Sequence, residues 1–290
     1  MRILVTGARG FTGQYLSAMA QAQGHTVLPL QADLTQPKTV KAEVATLQPS
    51  HVVHLAAISF VGHVDQRSFY DVNLFGTINL LDALEELDTP PSRVMLASSA
   101  NVYGNCQASP IPEEQTPAPL NHYGVSKLAM EHMASTYSDR LPVVITRPFN
   151  YIGAGQGPSF VVPKLVDHFN RRASRIELGD LAVQREFNDV QMVCSAYLQL
   201  LQHGEPGATY NVCSGQPHTL RHVLDTLNYL TGHEMQVEVN PAFVRAKEVH
   251  RLCGSPAKLQ ALLAAHGATL ANPPLEDTLR RMLAAAAGGK

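Results

Sequence analysis

The stretch NHYGVSKLAMEH, residues 121–132, places two residues that can take part in proton transfer four positions apart. Tyr123 and Lys127 lie in a pattern typical of an amphipathic helix, so their side chains project from one face. An ammonium beside a phenol favours the phenolate, and lowering a tyrosine pKa from about 10 to near 7 takes roughly 4 kcal/mol of differential stabilisation. We therefore expect Tyr123 to exchange a proton at neutral pH.

A glycine-rich segment, VTGARGFTG, joins the first predicted strand to the first predicted helix. Gly7, Gly10 and Gly13 are spaced by three, as in turns whose backbone amides and helix N-terminus approach a pyrophosphate. A tight turn without a ligand is the alternative. The position between strand and helix favours a dinucleotide site.

The end of the second predicted strand does not decide between NAD(H) and NADP(H). VLPLQADL has Gln31 where an acidic residue would hold the adenosine ribose of NAD, and Asp33 follows slightly later. Arg9 is either a ligand for the 2′-phosphate of NADPH or a solvated side chain. Both NADP(H) and NAD(H) remain open, with a slight preference for NADP(H).

Two serines follow the fourth predicted strand in LASSANVYG. Ser98 and Ser99 lie where the strands of a doubly wound sheet end, which is the edge at which such sheets bind ligands. A hydroxyl there can orient a substrate carbonyl. The alternative is a pair of ordinary turn residues.

The elements that must position these groups alternate between strands and helices over the first half of the chain. This order predicts an α/β fold, a Rossmann-like doubly wound parallel sheet with a smaller α/β substrate lobe. We assign residues 1–151 and 187–212 to the dinucleotide-binding domain, and residues 152–186 and 213–290 to the substrate lobe. Thr35 is the predicted N-cap of a helix ending near Leu47, and the C-terminal residues are predicted to form a helix with a frayed end.

Composition excludes several other function classes. The 22 basic and 24 acidic residues and a pI near 6.7 give no reason to expect a nucleic-acid or membrane partner. The four cysteines are scattered, and His51 and His54 point to opposite faces of a predicted strand, so we expect no metal site. No signal peptide or apolar run of about 18 residues occurs, which favours the cytoplasm.

Taken together, these motifs resemble the extended short-chain dehydrogenase/reductase family, in its nucleotide-sugar-modifying branch. TGARGFTG, HLAA, VNLFGT, SSANVYG, YGVSK and RPFN occur in that family's order. Within the family, RPFNYIGAGQ, REFNDV, YNVCSGQ and VRAKEVHRLCGSPAKL are most similar to the group of GDP-mannose 4,6-dehydratases and GDP-6-deoxy-D-mannose reductases.

The resemblance implies a catalytic set of Ser99, Tyr123 as acid/base, and Lys127, which would hold the nicotinamide ribose and lower the tyrosine pKa. It also implies a set of cofactor-binding residues that follows the strand ends and the catalytic helix. These residues are Gly7, Arg9, Gly10, Phe11, Thr12, Gly13, Asp33, Leu34, Leu55, Ala56, Ala57, Asn73, Tyr123, Lys127 and Pro148.

The resemblance also implies how a sugar nucleotide would be held. Asn150 and Arg185 would meet the hexose or diphosphate, and Arg245 and Glu248 the diphosphate and ribose. Asn101, also assigned to the substrate site, stands where the dehydratases carry a glutamate base. An amide cannot remove a proton, so the expected reaction is reduction of the C4 keto group of GDP-4-keto-6-deoxy-D-mannose to a GDP-6-deoxyhexose such as GDP-D-rhamnose.

Two other functions stay open on the sequence. One is an NAD-dependent 4-epimerase or another oxidoreductase acting on a UDP, dTDP or CDP sugar, and the other is a non-catalytic dinucleotide sensor. The resemblance further implies a homodimer formed through the helix around residues 73–86 and the helix carrying Tyr123. Leu128, Met130 and Met133 would either serve that contact or pack against the sheet.

Overall fold

A computed structural model describes residues 1–243 and 249–288 of the chain. Its strands, in chain order, are β1 (Arg2–Thr6), β2 (Thr26–Pro29), β3 (His51–His54), β4 (Arg93–Ala97), β5 (Val143–Pro148), β6 (Tyr151–Ile152), β7 (Arg175–Leu178), β8 (Gln184–Glu186), β9 (Asn188–Asp189), β10 (Thr209–Val212), β11 (Pro217–Thr219), β12 (Gln236–Val239) and β13 (Arg251–Leu252).

The helices alternate with these strands. They are α1 (Phe11–Ala22), α2 (Pro37–Leu47), α3 (Arg67–Tyr70), α4 (Gly76–Glu85), α5 (His122–Ser135), α6 (Val161–Asn170), α7 (Val190–His203), α8 (Leu220–Thr231), α9 (Ala257–Ala265) and α10 (Leu275–Gly288), with a π-helical segment at Asp71–Phe75 and 3₁₀ segments at Ala100–Tyr103 and Pro241–Phe243. No helix in the described part of the chain is long and apolar enough to span a membrane.

Six parallel strands form the main sheet, in the order β10-β5-β4-β3-β1-β2. From β1 the chain moves outward to β2 and then returns to β3 on the other side. This reversal opens a crevice beyond the carboxyl ends of β1 and β3, where doubly wound sheets bind ligands. The predicted fold class is confirmed.

Helices cover both faces of the sheet, which explains why its central strands are almost wholly apolar. On one face α1, α7 and α9 pack around buried residues such as Leu16, Tyr197 and Leu200. On the other, α2, α4 and α5 pack around residues such as Val52 and Leu81. The sheet is thus a rigid base for the loops at its carboxyl edge.

The smaller lobe is assembled from two separated pieces of chain. Its apolar core joins α6, α8 and α10, and its strands form a β12-β7 pair and a β11-β8-β13 sheet. One piece assigned to this lobe lies elsewhere. Leu259 and Leu263 of α9 pack into the core of the main sheet, because their shared apolar face covers β10.

Local details also differ from expectation. Gln36, not Thr35, is the N-cap of α2, because the Thr35 hydroxyl and amide both donate to Asp33 Oδ1 at 2.9 Å. The helix predicted around residues 73–86 begins in the π-helical segment and continues as α4. The predicted frayed end falls on residues 289–290, outside the described residues.

Asp189 connects α10 to the start of α7, and its replacement tests how much these contacts contribute to the stability of the fold. Its Oδ1 caps α7 through the Gln191 amide, and its Oδ2 accepts hydrogen bonds from Thr278 Oγ1 at 2.7 Å and Arg281 Nη2 at 2.5 Å. Asp189→Ala should lower the free energy of unfolding by about 2–4 kcal/mol, since a helix cap and the buried hydrogen bond from Thr278 are both lost. Urea denaturation measures this.

The exposed pair Glu276–Arg280, one turn apart on α10, provides the control. Glu276→Gln should change stability by less than about 0.5 kcal/mol. Equal losses in the two variants would contradict the anchoring role of Asp189.

Candidate active site

Tyr123 and Lys127 lie in the first two turns of α5, which begins where Asn121 Oδ1 accepts a hydrogen bond from the Gly124 amide at 2.8 Å. Both side chains are buried, with 8% and 2% of their surface exposed. They face the carboxyl end of β4, as the helical spacing predicts.

Lys127 is held by the strand that precedes the two serines. Its Nζ donates to the Ala97 carbonyl at 2.8 Å. Burial lowers the pKa of Lys127 to about 8, and the charge of Glu131 partly opposes that shift. Lys127 is therefore a buried cation that can lose its charge at mildly alkaline pH.

A buried ion pair lies one turn below Lys127. Glu131 accepts hydrogen bonds from Arg147 Nη2 at 2.6 Å and Nε at 3.0 Å, and its Oε1 also accepts from the Ser98 hydroxyl. Arg147 belongs to β5, and its Nη1 also donates to the Tyr103 hydroxyl at 3.0 Å. The pair joins β4, β5 and α5 directly beneath the catalytic candidates.

Ser99 stands between Asn101 and Tyr123. Its Oγ accepts hydrogen bonds from the Asn101 backbone amide and the Asn101 Nδ2, both at 3.1 Å. The pKa of Tyr123 is raised by burial, and the nearby Ser99 hydroxyl opposes that rise. The expected lowering of the Tyr123 pKa by Lys127 is not seen, because the Lys127 Nζ is directed to the Ala97 carbonyl. Tyr123 is instead a neutral phenol, which is the form that can donate a proton.

The glycine turn fits a dinucleotide phosphate. Gly7 has a φ of +68°, and a Cβ there would lie 2.9 Å from the Ala56 amide nitrogen; a Cβ at Gly13 would collide with the Gly7 carbonyl. Gly10 begins α1 without a side-chain cap, and Phe11 and Thr12 follow as its first residues. The helix therefore presents uncapped amides, which favour an anion.

The groups expected at the adenosine end surround the carboxyl end of β2. Arg9 Nη2 donates to Gln31 Oε1 at 2.5 Å, which brings the cation to the strand end. Glu43 on α2 reaches back to the same place and accepts hydrogen bonds from the backbone amides of Gln31 at 2.8 Å and Ala32 at 2.6 Å. Asp33 is exposed and accepts a hydrogen bond from the Thr35 amide, whereas Leu34 is buried.

The loop after β3 is fixed by a network of buried polar groups. Thr6 Oγ1 accepts the amides of Leu55 at 3.1 Å and Ala56 at 3.0 Å, and it lies 2.8 Å from His54 Nδ1. His54 Nε2 lies 2.9 Å from Thr77 Oγ1. Burial lowers the pKa of His54 to about 3, so the ring is neutral.

Asn73, in the π-helical segment, extends this network to the catalytic helix. The side-chain Nδ2 of Asn73 donates to the Ile58 carbonyl and to Ser126 Oγ, both at 3.1 Å. The Ser126 hydroxyl in turn donates to the Tyr123 carbonyl at 2.8 Å. Because Asn73 is fully buried, we expect it to affect a cofactor indirectly, by positioning the loop that contains Ala57. Pro148 ends β5 beside the same edge of the sheet.

The described residues that were predicted to bind substrate lie in three different parts of the fold. Asn150 follows β5, and its carbonyl accepts the Asn188 amide at 3.0 Å. Arg185 lies on β8, and its Nη1 donates to the His250 carbonyl at 3.2 Å. Asn101 contacts Ser99 as described. Arg245 and Glu248 lie outside the described residues.

Sequence comparison agrees with this geometry. Residues 28–264 match the family model described as GDP-mannose 4,6 dehydratase. The chain belongs to the GDP-mannose 4,6 dehydratase family. As a member of that family it is an NAD(P)-dependent oxidoreductase of the extended short-chain dehydrogenase/reductase type, as the sequence motifs predicted.

Individual members of the GDP-mannose 4,6 dehydratase family give a finer comparison. The chain is 39% identical over 274 residues to a GDP-6-deoxy-D-mannose reductase from Pseudomonas aeruginosa, covering 89% of each chain. It is 35% identical over 269 residues to a GDP-6-deoxy-D-talose 4-dehydrogenase from Aggregatibacter actinomycetemcomitans, covering 91% of each. A structure of RMD from Pseudomonas aeruginosa complexed with NADPH is 35% identical, with a TM-score of 0.91 and complete coverage of both chains.

Several groups that shape the site were missed from the sequence. Glu131 follows Lys127 by four residues, a helical spacing that could have placed it on the same face of α5. Its partner Arg147, however, lies on β5, far away in the sequence. Glu186 follows Arg185 and is fully buried, where its carboxylate accepts the amides of Ser214 at 2.7 Å and Gly254 at 2.6 Å. Glu43 carries no local signal, since only the fold brings α2 back to β2.

The low pKa of Lys127 predicts a pH dependence of cofactor affinity. Below about pH 8 Lys127 is an ammonium that attracts an anionic dinucleotide, and above it the charge is lost. The affinity for NADPH should therefore fall about fivefold to tenfold as the pH rises from about 7 to about 9. Fluorescence titration of the apoprotein measures this.

Lys127→Met keeps an unbranched side chain of similar shape and removes the titrating group. This variant should bind NADPH more weakly at about pH 7 and show little change up to about pH 9. An equally steep decline in Lys127→Met would show that another group is responsible.

Proposed function

We propose that this protein reduces the C4 keto group of GDP-4-keto-6-deoxy-D-mannose, using NADPH or NADH, to a GDP-6-deoxyhexose such as GDP-D-rhamnose. The observation that carries the proposal is the buried, neutral Tyr123 on α5 together with Ser99 at the end of β4, with an amide and no carboxylate at position 101. The similarity to a reductase and a dehydrogenase of GDP-6-deoxy sugars supports the same substrate class.

In the proposed reaction the reduced nicotinamide, when bound at the glycine turn, supplies the hydride for C4. Tyr123 would donate its proton to the C4 oxygen, to which the Ser99 hydroxyl would also donate a hydrogen bond. Lys127 would hold the nicotinamide ribose. Its ammonium would also favour the phenolate, so the buried cation assists the proton transfer without taking part in it.

The residue at position 101 separates reduction from elimination. Loss of water across C5 and C6 needs a base that removes the C5 proton. Asn101 has no basic group, and its Nδ2 donates a hydrogen bond to Ser99 Oγ at 3.1 Å. Reduction needs one hydride and one proton, and no base at this position.

A cavity of about 720 Å³ in the smaller lobe is our candidate for the nucleotide end of the substrate. It lies between the two-stranded β12-β7 sheet and the start of α8. Its lining residues are Asp180, Leu181, Ala182, Thr219, Arg221 and Val239. The mixture of apolar walls and an arginine suits a base attached to a phosphate.

We also propose that the protein is a cytoplasmic homodimer. Phe75, Val125 and Met133 expose 54%, 39% and 38% of their surface on neighbouring elements around α5. Met130, by contrast, is 1% exposed and packs against the sheet, so it does not serve that contact. All four cysteines are free thiols, as in reducing compartments.

Turnover by a Tyr123→Phe variant tests the proposed reaction. The wild-type protein should oxidise NADPH when freshly made GDP-4-keto-6-deoxy-D-mannose is added. Tyr123→Phe should lower kcat by at least about 100-fold, because the proton donor is lost, while NADPH affinity changes less than about threefold. Stopped-flow absorbance of NADPH measures the rate.

Two outcomes would redirect the assignment. Tightly retained NAD with no net NADPH oxidation would favour a 4-epimerase. Undiminished turnover in Tyr123→Phe would remove Tyr123 from the chemistry.

Arg9 should supply whatever preference exists for NADPH. Because its guanidinium lies at the end of β2 beside Gln31, it would face the ribose position that carries the 2′-phosphate. Arg9→Gln should weaken NADPH binding about tenfold and leave NADH binding within about twofold. Calorimetric titration with both nucleotides measures the ratio, and equal losses for the two would contradict a 2′-phosphate role.

A further inference from the structure

A carboxylate from another element lies at the end of β2, where the first residues after the strand, Leu30 to Ala32, include no acidic side chain. Glu43 reaches this place from the second turn of α2. Its Oε1 accepts a hydrogen bond from the Gln31 backbone amide at 2.8 Å, and its Oε2 accepts one from the Ala32 amide at 2.6 Å. Because each oxygen binds one of two consecutive amides, both the position and the orientation of the carboxylate are fixed.

The nearby Asp33 does not take this place. Its Oδ1 accepts hydrogen bonds from the amide and the hydroxyl of Thr35, both at 2.9 Å, so this carboxylate closes its own turn. The next residue, Leu34, is buried, and its carbonyl accepts a hydrogen bond from Asn79 Nδ2 at 2.7 Å. Of the two carboxylates, Glu43 is therefore the one directed to the end of β2.

A cation approaches the same strand end from the glycine turn. Arg9 Nη2 donates to Gln31 Oε1 at 2.5 Å. The Arg9 carbonyl accepts a hydrogen bond from Gln14 Nε2 at 2.8 Å, which ties the turn to α1. Gln31 thus contacts Arg9 through its side chain and Glu43 through its backbone, and it stands between two opposite charges.

These two charges act on the two forms of the cofactor in opposite senses. In doubly wound folds the adenosine ribose is held at the end of β2, where a carboxylate accepts the free 2′-hydroxyl and an arginine accommodates a 2′-phosphate. A carboxylate offers about four acceptor sites, so Glu43 can accept a hydroxyl in addition to the two amides. Its negative charge repels a phosphate.

We propose that Glu43 is a specificity-determining residue for the cofactor, which supplies from α2 the carboxylate that β2 lacks and disfavours the 2′-phosphate of NADPH. Arg9 acts in the opposite sense, and the balance of the two charges sets the ratio of the affinities for NADPH and NADH. This inference deepens the cofactor part of the proposed function and rests on it for the site at the glycine turn. It does not depend on the identity of the sugar.

Glu43→Gln removes the charge and keeps an oxygen that accepts one of the two amides. The affinity for NADPH should rise about fivefold to tenfold, because repulsion of the phosphate is lost, and the affinity for NADH should fall about twofold to fivefold. Calorimetric titration of the apoprotein with both nucleotides measures the ratio. Parallel losses for the two nucleotides would overturn the proposal, since they would show that Glu43 only supports the loop.

Adenosine fragments isolate this end of the cofactor from the nicotinamide end. The fragments 2′,5′-ADP and 5′-AMP differ only in the 2′-phosphate, and competition against the fluorescence of bound NADPH measures both dissociation constants. The ratio should move at least about fivefold towards 2′,5′-ADP in Glu43→Gln. An unchanged ratio would contradict the proposal.

The matched control is Glu86→Gln. Glu86 is exposed and pairs with Lys41, which lies on α2 two residues before Glu43. This variant removes the same charge from a neighbour of α2 instead of from the strand end, and it should keep both affinities within about twofold. A gain in NADPH affinity as large as that of Glu43→Gln would overturn the proposal, because net charge alone would then explain the result.

Combining Glu43→Gln with Arg9→Gln identifies how the carboxylate acts. If Glu43 repels the phosphate itself, Glu43→Gln should raise the NADPH affinity at least about threefold in the Arg9→Gln background as well. Loss of that gain would overturn the proposal, because Glu43 would then act only by weakening Arg9. A wild-type protein that binds both nucleotides but reduces no keto sugar would remove the proposed function, and the binding ratios would still decide the role of Glu43.

Discussion

The candidate site depends on one buried ion pair, between Glu131 of α5 and Arg147 of β5. Both side chains are less than a tenth exposed, and an unpaired charge at such a depth costs several kcal/mol. The pair therefore fixes the helix against the strand. Through Ser98 it also holds the end of β4, the strand from which Ser99 and the Lys127 acceptor Ala97 extend. Without Glu131, burial would lower the pKa of Lys127 further, since its charge opposes that shift.

A second constraint fixes the cofactor side, and it is neutral. Thr6 accepts two backbone amides, so its proton must be donated to His54 Nδ1. His54 then carries its proton on Nε2 and donates it to Thr77, whose hydroxyl donates to the Asn73 carbonyl at 2.8 Å. This chain of donors allows only one tautomer of His54. The glycine turn, the loop after β3 and the catalytic helix are thereby kept in register by groups that carry no charge.

The sequence predicted the parts of this arrangement that local pattern controls. The glycine turn, the serine pair and the Tyr123–Lys127 spacing each follow from one strand end or one helix face. Local sequence patterns did not predict the tertiary contacts. The Glu131–Arg147 pair joins elements that only the fold brings together, and the raised pKa of Tyr123 follows from burial that sequence does not measure. Thr35 does not cap α2 because its hydroxyl donates a hydrogen bond to Asp33 instead. Helix α9 packs on the main sheet because its buried leucines lie in the same apolar cluster as the residues of β10.

The most direct measurement of the central claim is where the cofactor's hydrogen goes. NADPH deuterated at the transferable position would be incubated with GDP-4-keto-6-deoxy-D-mannose and the wild-type protein, and the product analysed by NMR. The account predicts one deuterium at C4 of the hexose, with no exchange from solvent at C5. The H3–H4 and H4–H5 coupling constants of the product made with unlabelled NADPH assign the C4 configuration. Deuterium absent from C4, or solvent hydrogen incorporated at C5, would contradict reduction by this site.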